Sequence, residues 1–360
     1  VEASMDRFVE CFGEVEDPRA GNVRHDLVEI LFIALLASLC GARTCEDFEE
    51  FGFSKRDLLA NFLTLRHGTP SHDTFSRVFR LLDPAGFEKA FLAFMARFAE
   101  GLAGVVALDG KSLKGAYDKG QAHMPAMMVS AFAAETRLTL ANLPAKGGNE
   151  RDAVLQLIDM VSLKGCVVTT DALHCHEGLA ARIVAKKGDY ALRLKANRPT
   201  LLASVEAALS GAGVKSGTDV CRRNGTDVTR RAEVAPAAAL AVKTGFPGLK
   251  AVARLTVEQP GAEAEERFYL LSRKLTPGRL IEVTRSHWAI ENSLHWVLDT
   301  AFAEDHSRSR KDNAPQNLAV LRRLALNVAR LHPDKTPMRR KLLKAGWDEA
   351  FFFDLMRHMR

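Results

Sequence analysis

Apolar positions along the chain change their spacing twice. Over residues 1–100 they recur at helical intervals. Leu27, Ile30, Leu31, Ala34, Leu35 and Ser38 mark one buried helix, with Gly41 as its stop. A second helix is predicted from Thr44, with Glu46 and Asp47 in its first turn. A third follows Ser71 as N-cap and carries Phe75, Val78, Phe79 and Leu82. Asp83-Pro84 ends it, and Phe87–Phe98 forms another. Such short helices suit either a helix-turn-helix reader of DNA or a plain packing bundle.

From Val105 the apolar residues come in short solid runs, the mark of inner strands alternating with helices. Strands are predicted at Val105–Asp109, Met127–Ala133, Leu138–Leu143, Cys166–Thr170 and Tyr190–Leu194. The tight Glu135-Thr136-Arg137 connection makes the second and third antiparallel neighbours. A helix opens at Asn149 and closes on Gly165 as C-cap, and another spans about Glu177–Lys187. Together these predict an α/β fold, a mixed sheet with helices on its faces. Residues 197–280 break the rhythm, with an Asn224-Gly225 turn, β-prone runs at Val252–Val257 and Phe268–Leu271, and loop-like Gly211–Gly217 and Pro236–Leu240. They read as a mostly β insertion, after which long helices return. The expected division is a helical domain over 1–100, a catalytic domain over 101–196 and 281–330, the insertion over 197–280 and a basic tail over 331–360.

Three acids stand out on these elements. Asp109 and Asp171 each follow an apolar strand, where a carboxylate projects into the crevice used by ligands of open α/β sheets. Gly110 is expected to turn the chain sharply after the first. Glu291 lies on a predicted helix over Leu280–Ala301, sharing an inward stripe with Trp288, Leu294, Val297 and Leu298; a salt bridge to Arg285 or His295 is its plainer role. Clustered carboxylates repel unless a cation neutralises them, and an all-oxygen donor set suits Mg²⁺ or Mn²⁺. Glu304 and Asp305 are the substitutes for the third acid. His174, Cys175 and His176 lack a second ligand pair at zinc spacing, so a surface-loop or helix-start role is expected. Trp288 and Trp296 are expected in the core rather than stacked on bases.

Composition narrows the class. The 360 residues carry 50 Lys and Arg against 44 Asp and Glu, a net charge of +6 that favours a polyanionic partner. Basic residues crowd the last third: Arg308, Arg310, Lys311, Arg322, Arg323 and Arg330, then Lys335, Arg339, Arg340, Lys341, Lys344, Arg357 and Arg360. Six cysteines without framework spacing point to a reducing, cytosolic setting. The longest apolar run, Leu27–Cys40, contains Glu29 and is too short to span a bilayer, so no membrane partner is expected. No Gly-rich phosphate loop, nucleophile elbow or cofactor motif is present.

ALDGKSLKGA, VVTTDALHC and RSHWAIENSLHWVLDTAFAEDHSRSRKDNAPQNLAVLRRLALN resemble the three core motifs of the DDE transposases of the H-repeat-associated protein family. DPRAGNVRHDLVEILFIALLASLCGA and GTPSHDTFSRVFRLLDP resemble the helical domain that precedes them, and Asn149-Glu150 also matches the family pattern. The likeness spans about residues 7–330. It implies a ribonuclease-H-like fold and the triad Asp109, Asp171 and Glu291 holding two Mg²⁺ or Mn²⁺ ions for DNA strand cleavage and transfer. It implies double-stranded DNA partners, the element's terminal inverted repeats and its target, and a homodimer in the complex. A cytoplasmic, nucleoid-associated protein of bacterial type follows. The wider class has a Tyr seven residues before the Glu, an Arg four before and a Lys seven after; here Thr284, His287 and Leu298 stand there. Lys111, Lys114, Arg285, His287, His295, Arg308 and Arg310 are the candidates to grip DNA. A catalytically silent DNA-binding or regulatory relative, and a structure-specific nuclease of the same fold, are the alternatives.

Overall fold

The computed structural model describes residues 2–21, 23–116, 126–223 and 225–359. Asn224 of the expected turn and Arg360 of the basic set lie outside them. The first hundred residues form α1 (Glu2–Phe12), α2 (Leu27–Leu39), α3 (Cys45–Ser54), the single turn α4 (Arg56–Leu59), α5 (His72–Leu81) and α6 (Pro84–Ala96). Caps set their starts. Asp26 accepts the N–H groups of Val28 and Glu29 ahead of α2, and Thr44 and Asp47 form a reciprocal capping box on α3. Asp83-Pro84 stops α5 and also starts α6, with Asp83 accepting the Gly86 N–H and Pro84 in the first turn.

The segment from Gly104 alternates as expected: β1 (Gly104–Ser112), β2 (Met127–Ala133), β3 (Leu138–Pro144), α7 (Glu150–Met160), β4 (Cys166–Thr170), α8 (Glu177–Ala185) and β5 (Asp189–Leu194). Two expectations fail here. Gly110 makes no turn: β1 runs on to Ser112, with Gly110 paired to Val129, so Asp109 sits inside a strand. Gly165 does not cap α7, which ends at Met160; with φ +80° it forms the turn entering β4.

Residues 197–280 supply α9 (Pro199–Leu209), β6 (Lys215–Arg223), β7 (Thr226–Pro236), α10 (Ala238–Thr244), β8 (Ala251–Glu258) and β9 (Glu265–Leu271). Strand and helix thus claim much of the two stretches that read as loops. The strands extend the same sheet, whose order is β3-β2-β1-β4-β5-β9-β8-β7-β6. β1, β4 and β5 are parallel and the other pairings antiparallel.

The last part is α11 (Pro277–His287), a π-helical turn at Ile290–His295, α12 (Trp296–Thr300), α13 (Ala314–Leu331), α14 (Met338–Trp347) and α15 (Glu349–Arg357). Residues 331–359 are largely two packed helices; the Ser4 hydroxyl donates to the Met356 carbonyl, tying α1 to α15. Lys341 is buried and donates to the carbonyls of Ala329 and His332.

One apolar cluster joins α1–α6 to α13–α15 and to Ile290, Leu294 and Leu298. That explains why α2 is buried on every side instead of along one stripe: α13 packs against it. A second cluster lies under α7, α8 and α9, on the other face of the sheet. α13 is pinned to the sheet by Arg323, fully buried, which donates to Glu304 Oε1 (3.0 Å) and Ser130 Oγ (3.2 Å). Glu304→Ala should therefore leave a buried guanidinium uncompensated and cost about 3–5 kcal/mol in chemical denaturation. A loss below 1 kcal/mol would show that this pair does not hold the helix.

Candidate active site

Register brings the first two acids together. β1 and β4 run parallel with Leu108 opposite Thr170, so Asp109 and Asp171 are the next residues on adjacent strands. β4 stops there. Asp171 caps a short turn, its Oδ1 accepting the Leu173 N–H (3.1 Å). Asp109 is held by continued pairing with β2, opposite Ser130.

Glu291 comes from the π-helical turn between α11 and α12. A π turn adds a residue to the helical repeat and shifts the faces beyond it. Ile290, Leu294 and Leu298 point into the core, while Trp288 and Trp296 are 44% and 63% exposed. The expected inward stripe through Trp288 and Glu291 is therefore corrected, and so is core packing of the two tryptophans. Glu291 is half-exposed on the cavity lip, its Oε2 3.5 Å from His295 Nδ1. Of its two expected ion-pair partners it takes His295; Arg285 faces Asp219 instead (3.5 Å).

A cavity of about 220 Å³ collects the three acids. Its walls include Thr169, Arg193, Lys195, Arg267, His287 and Trp288. Arg267 lies over the Trp288 ring, 5.4 Å from its centroid, and both Arg193 and Arg267 reach Glu265. The basic wall was missed in the sequence. Arg193 and Lys195, alternating on an apolar strand, were a readable signal. Arg267 was not, because it reaches the site only once β9 pairs with β5.

The electrostatics are those of crowded acids. Burial, then the charge of Glu291, raises the Asp109 pKa to about 8. Glu291 is lowered, mainly by its hydrogen bond to His295. His295 Nδ1 is also 3.7 Å from Asp109 Oδ2, and its Nε2 is buried without a partner among the described residues. Asp109, Glu291 and His295 offer ligand atoms all within 4.8 Å of one another. Two carboxylates and one imidazole are a donor set for a divalent cation, and Asp171 is not part of this close group.

The other candidates separate. His287 bonds Thr169 Oγ1 (3.0 Å), and burial lowers its pKa to about 4, so it lines the site uncharged. Lys111, expected to reach phosphate, is instead buried against Asp299 (2.8 Å) and Asp305 (2.7 Å). Lys114 is exposed and pairs with Asp305. Asp305 and Glu304 are thereby engaged in ion pairs with Lys111, Lys114 and Arg323, outside the acid cavity. Arg308 and Arg310 line a different groove of about 440 Å³, with Arg80 and Lys311. His176 caps α8, while His174 is buried against Glu150 rather than in a surface loop. His332, Asp354 and His358 also cluster. His332 Nδ1 accepts the Asp334 N–H and its Nε2 faces Asp354 Oδ2, which makes a hydrogen-bonded pair. A metal-bound histidine would instead donate from its second nitrogen.

Residues 100–328 match the family model described as "Transposase DDE domain", and residues 9–95 match its companion, "DDE_Tnp_1-associated". The chain belongs to the transposase DDE-domain family. "Putative transposase YncI" of Escherichia coli O157:H7 is 30% identical over 98% of this chain and 95% of its own length. "H repeat-associated putative transposase YhhI" of Escherichia coli K12 is 30% identical over 93% of each chain. A piggyBac transposase synaptic complex with hairpin DNA overlaps loosely, at 13% identity and a TM-score of 0.47, over 98% of this chain and 77% of its own. No helix among the described residues is long and apolar enough to cross a membrane.

Asp109 gives a pH signature. Its folded-state pKa lies above the unfolded one, near 4, so the folded protein holds the extra proton between them. Stability contributed by this group is full below about pH 4 and is lost as pH rises through 8. In chelator, the melting temperature should fall with rising pH more steeply in the native protein than in Asp109→Asn, and Mg²⁺ should flatten the curve. Identical slopes would remove the assignment of a strained acid.

Proposed function

We propose that this transposase cuts DNA strands at the ends of its own element and joins them to target DNA, using Asp109, Asp171 and Glu291. The observation that carries this is one cavity lined by the three acids together with Arg193, Lys195 and Arg267. Acids gather cations, and a cationic wall receives the phosphate backbone. We read the order β3-β2-β1-β4-β5, with β1, β4 and β5 parallel, as ribonuclease-H-like; β9 to β6 extend it.

In this scheme Asp109 would be a ligand of both divalent ions, Mg²⁺ or Mn²⁺, and Asp171 and Glu291 would be ligands of one each. Bound there, such ions supply Lewis-acid charge to the attacking and leaving oxygens of the phosphoryl transfer. The chain supplies position. The strand pairing fixes Asp109 and Asp171, and the buried pair of Lys111 on β1 with Asp299 on α12 fixes Glu291. Arg193, Lys195 and Arg267 hold the non-bridging phosphate oxygens. Trp288, exposed and backed by Arg267, offers a flat face to a base beside the scissile bond. Two ends must be held together for joining, so the working complex is at least a homodimer on the terminal inverted repeats.

Asp109→Asn should abolish Mg²⁺-dependent nicking of inverted-repeat DNA while leaving end binding nearly intact; native nicking by this variant would remove the triad. Pre-cut ends with a free 3′-hydroxyl should be joined to target DNA by the native protein, and cleavage without joining would make it a nuclease. Trp288→Ala should weaken end binding on the order of tenfold. Lys195→Ala should lower the slope of log affinity against log salt by about one. An unchanged slope would place Lys195 outside the DNA path.

A further inference from the structure

We propose that Glu150 is a positioning residue for Asp171, acting through His174. The inference rests on the metal-binding reading of the three acids. Gly110 points to the face of the sheet opposite Asp109, the face covered by α7 and α8. A Cβ built there would lie 2.4 Å from Glu150 Oε1 and 2.9 Å from its Cδ. The Glu150 carboxyl is therefore packed directly under the strand that carries Asp109. A first-turn acid that only served the dipole of α7 would have no need of this place. A glycine inside a strand weakens it, and here the glycine makes room for the carboxyl.

The carboxyl has one partner of consequence. Glu150 Oε1 faces His174 Nε2 at 3.2 Å. His174 is 1% exposed, and its Nδ1 is buried with no partner among the described residues, so Glu150 alone fixes the ring by hydrogen bonding. The same Nε2 lies 3.8 Å from Asp171 Oδ1. That oxygen already accepts the Leu173 N–H, and Oδ2 takes no hydrogen bond among the described residues. The turn over residues 171–176 is thus braced at its start by the Asp171 cap, in its middle by Glu150 and at its end by His176 on α8. Glu150 links β1, through Gly110, to the turn that aims Asp171. Orienting groups behind a ligand act on metal affinity more than on fold.

The test is Mn²⁺ binding to the full chain by calorimetry, beside thermal unfolding and Mg²⁺-dependent nicking. Glu150→Ala should weaken Mn²⁺ on the order of tenfold or more and raise the Mg²⁺ needed for nicking, with end binding kept. Glu150→Gln, which retains an acceptor for His174, should recover most of the affinity. Gly110→Ala should weaken Mn²⁺ as Glu150→Ala does, and the double variant should be no worse than either. Native Mn²⁺ affinity in Glu150→Ala, or fully additive losses in the double variant, would overturn the link. Should Glu150→Ala fail to fold, Glu150→Gln and Gly110→Ala decide alone: equal, large losses in both refute it, because the retained acceptor would then count for nothing. Asp171→Asn separates the two readings. If it binds Mn²⁺ like the native protein, the metal reading fails and this inference with it. If it loses Mn²⁺ while Glu150→Ala keeps it, only the positioning role fails.

Discussion

The Lys111 ammonium holds this molecule's site together. It stands two residues beyond Asp109 on the same face of β1 and is 6% exposed. It meets Asp299, Asp305 and, at 3.7 Å, Glu304. Glu304 in turn pairs with Arg323, which reaches Ser130, the residue opposite Asp109. Asp299 lies on α12, directly after the π turn that bears Glu291. A buried ion network thus clamps the helix carrying one acid to the strand carrying another. Burial opposes the Lys111 charge, but Glu304, Asp299 and Asp305 outweigh it and raise its pKa. Taking such charges from water costs several kcal/mol per ion, and the network withstands it only because each ion is paired.

That clamp adds to what the site itself supplies. Burial, and then the charge of Glu291, raise the pKa of Asp109, and His295, facing both acids, is the local bridge between helix and strand. A further attraction is placed a helical turn or two away, where opposite charges meet, and apolar packing of Ile290, Leu294 and Leu298 adds to it. The arrangement keeps the acids close to one another in a cavity that Arg193, Lys195 and Arg267 also line. The cationic wall of Arg193 and Arg267 is tempered by Glu265. A site for phosphate and metal together needs both signs at short range without their collapsing onto each other.

How far this was legible depends on range. Asp109 and Asp171 follow apolar runs, and a parallel pairing of those runs makes them neighbours, so local pattern sufficed. Glu291 was singled out on a predicted helix, and the family resemblance gave its place in a triad, but its periodicity misled, because the π turn changes the phase of the faces and turns Trp288 and Trp296 outward. Gly110 read as a turn because glycine after an apolar run usually is one, whereas here it answers Glu150 from another element. Lys111 read as a DNA contact because its three acids lie almost two hundred residues away in sequence. The β-rich segment was visible as strands, but its attachment to β5 through β9 is a pairing that no local pattern encodes.

The basic last third shows the same limit for charge. Its Lys and Arg looked like a phosphate-tracking stripe, yet Arg322, Arg323 and Lys341 are buried. Arg330 donates to the carbonyls of Arg137 and Ser293, and burial lowers its pKa to about 9. Guanidinium and ammonium groups here satisfy carbonyl ends and acids inside a helical core, work that a neutral side chain of the same length could not do. The unburied cationic charge is smaller than the sequence count: Lys195 lines the acid cavity, Lys114, Arg285 and Arg80 each face an acid, and Arg308 and Lys311 line the groove between α5 and the start of α13. That groove joins the N-terminal helices to the segment after α12. The helices are tied to the elements that carry the acids by α13, by the apolar cluster they share with Ile290, Leu294 and Leu298, and by Glu88 of α6 bonding Asn142 of β3.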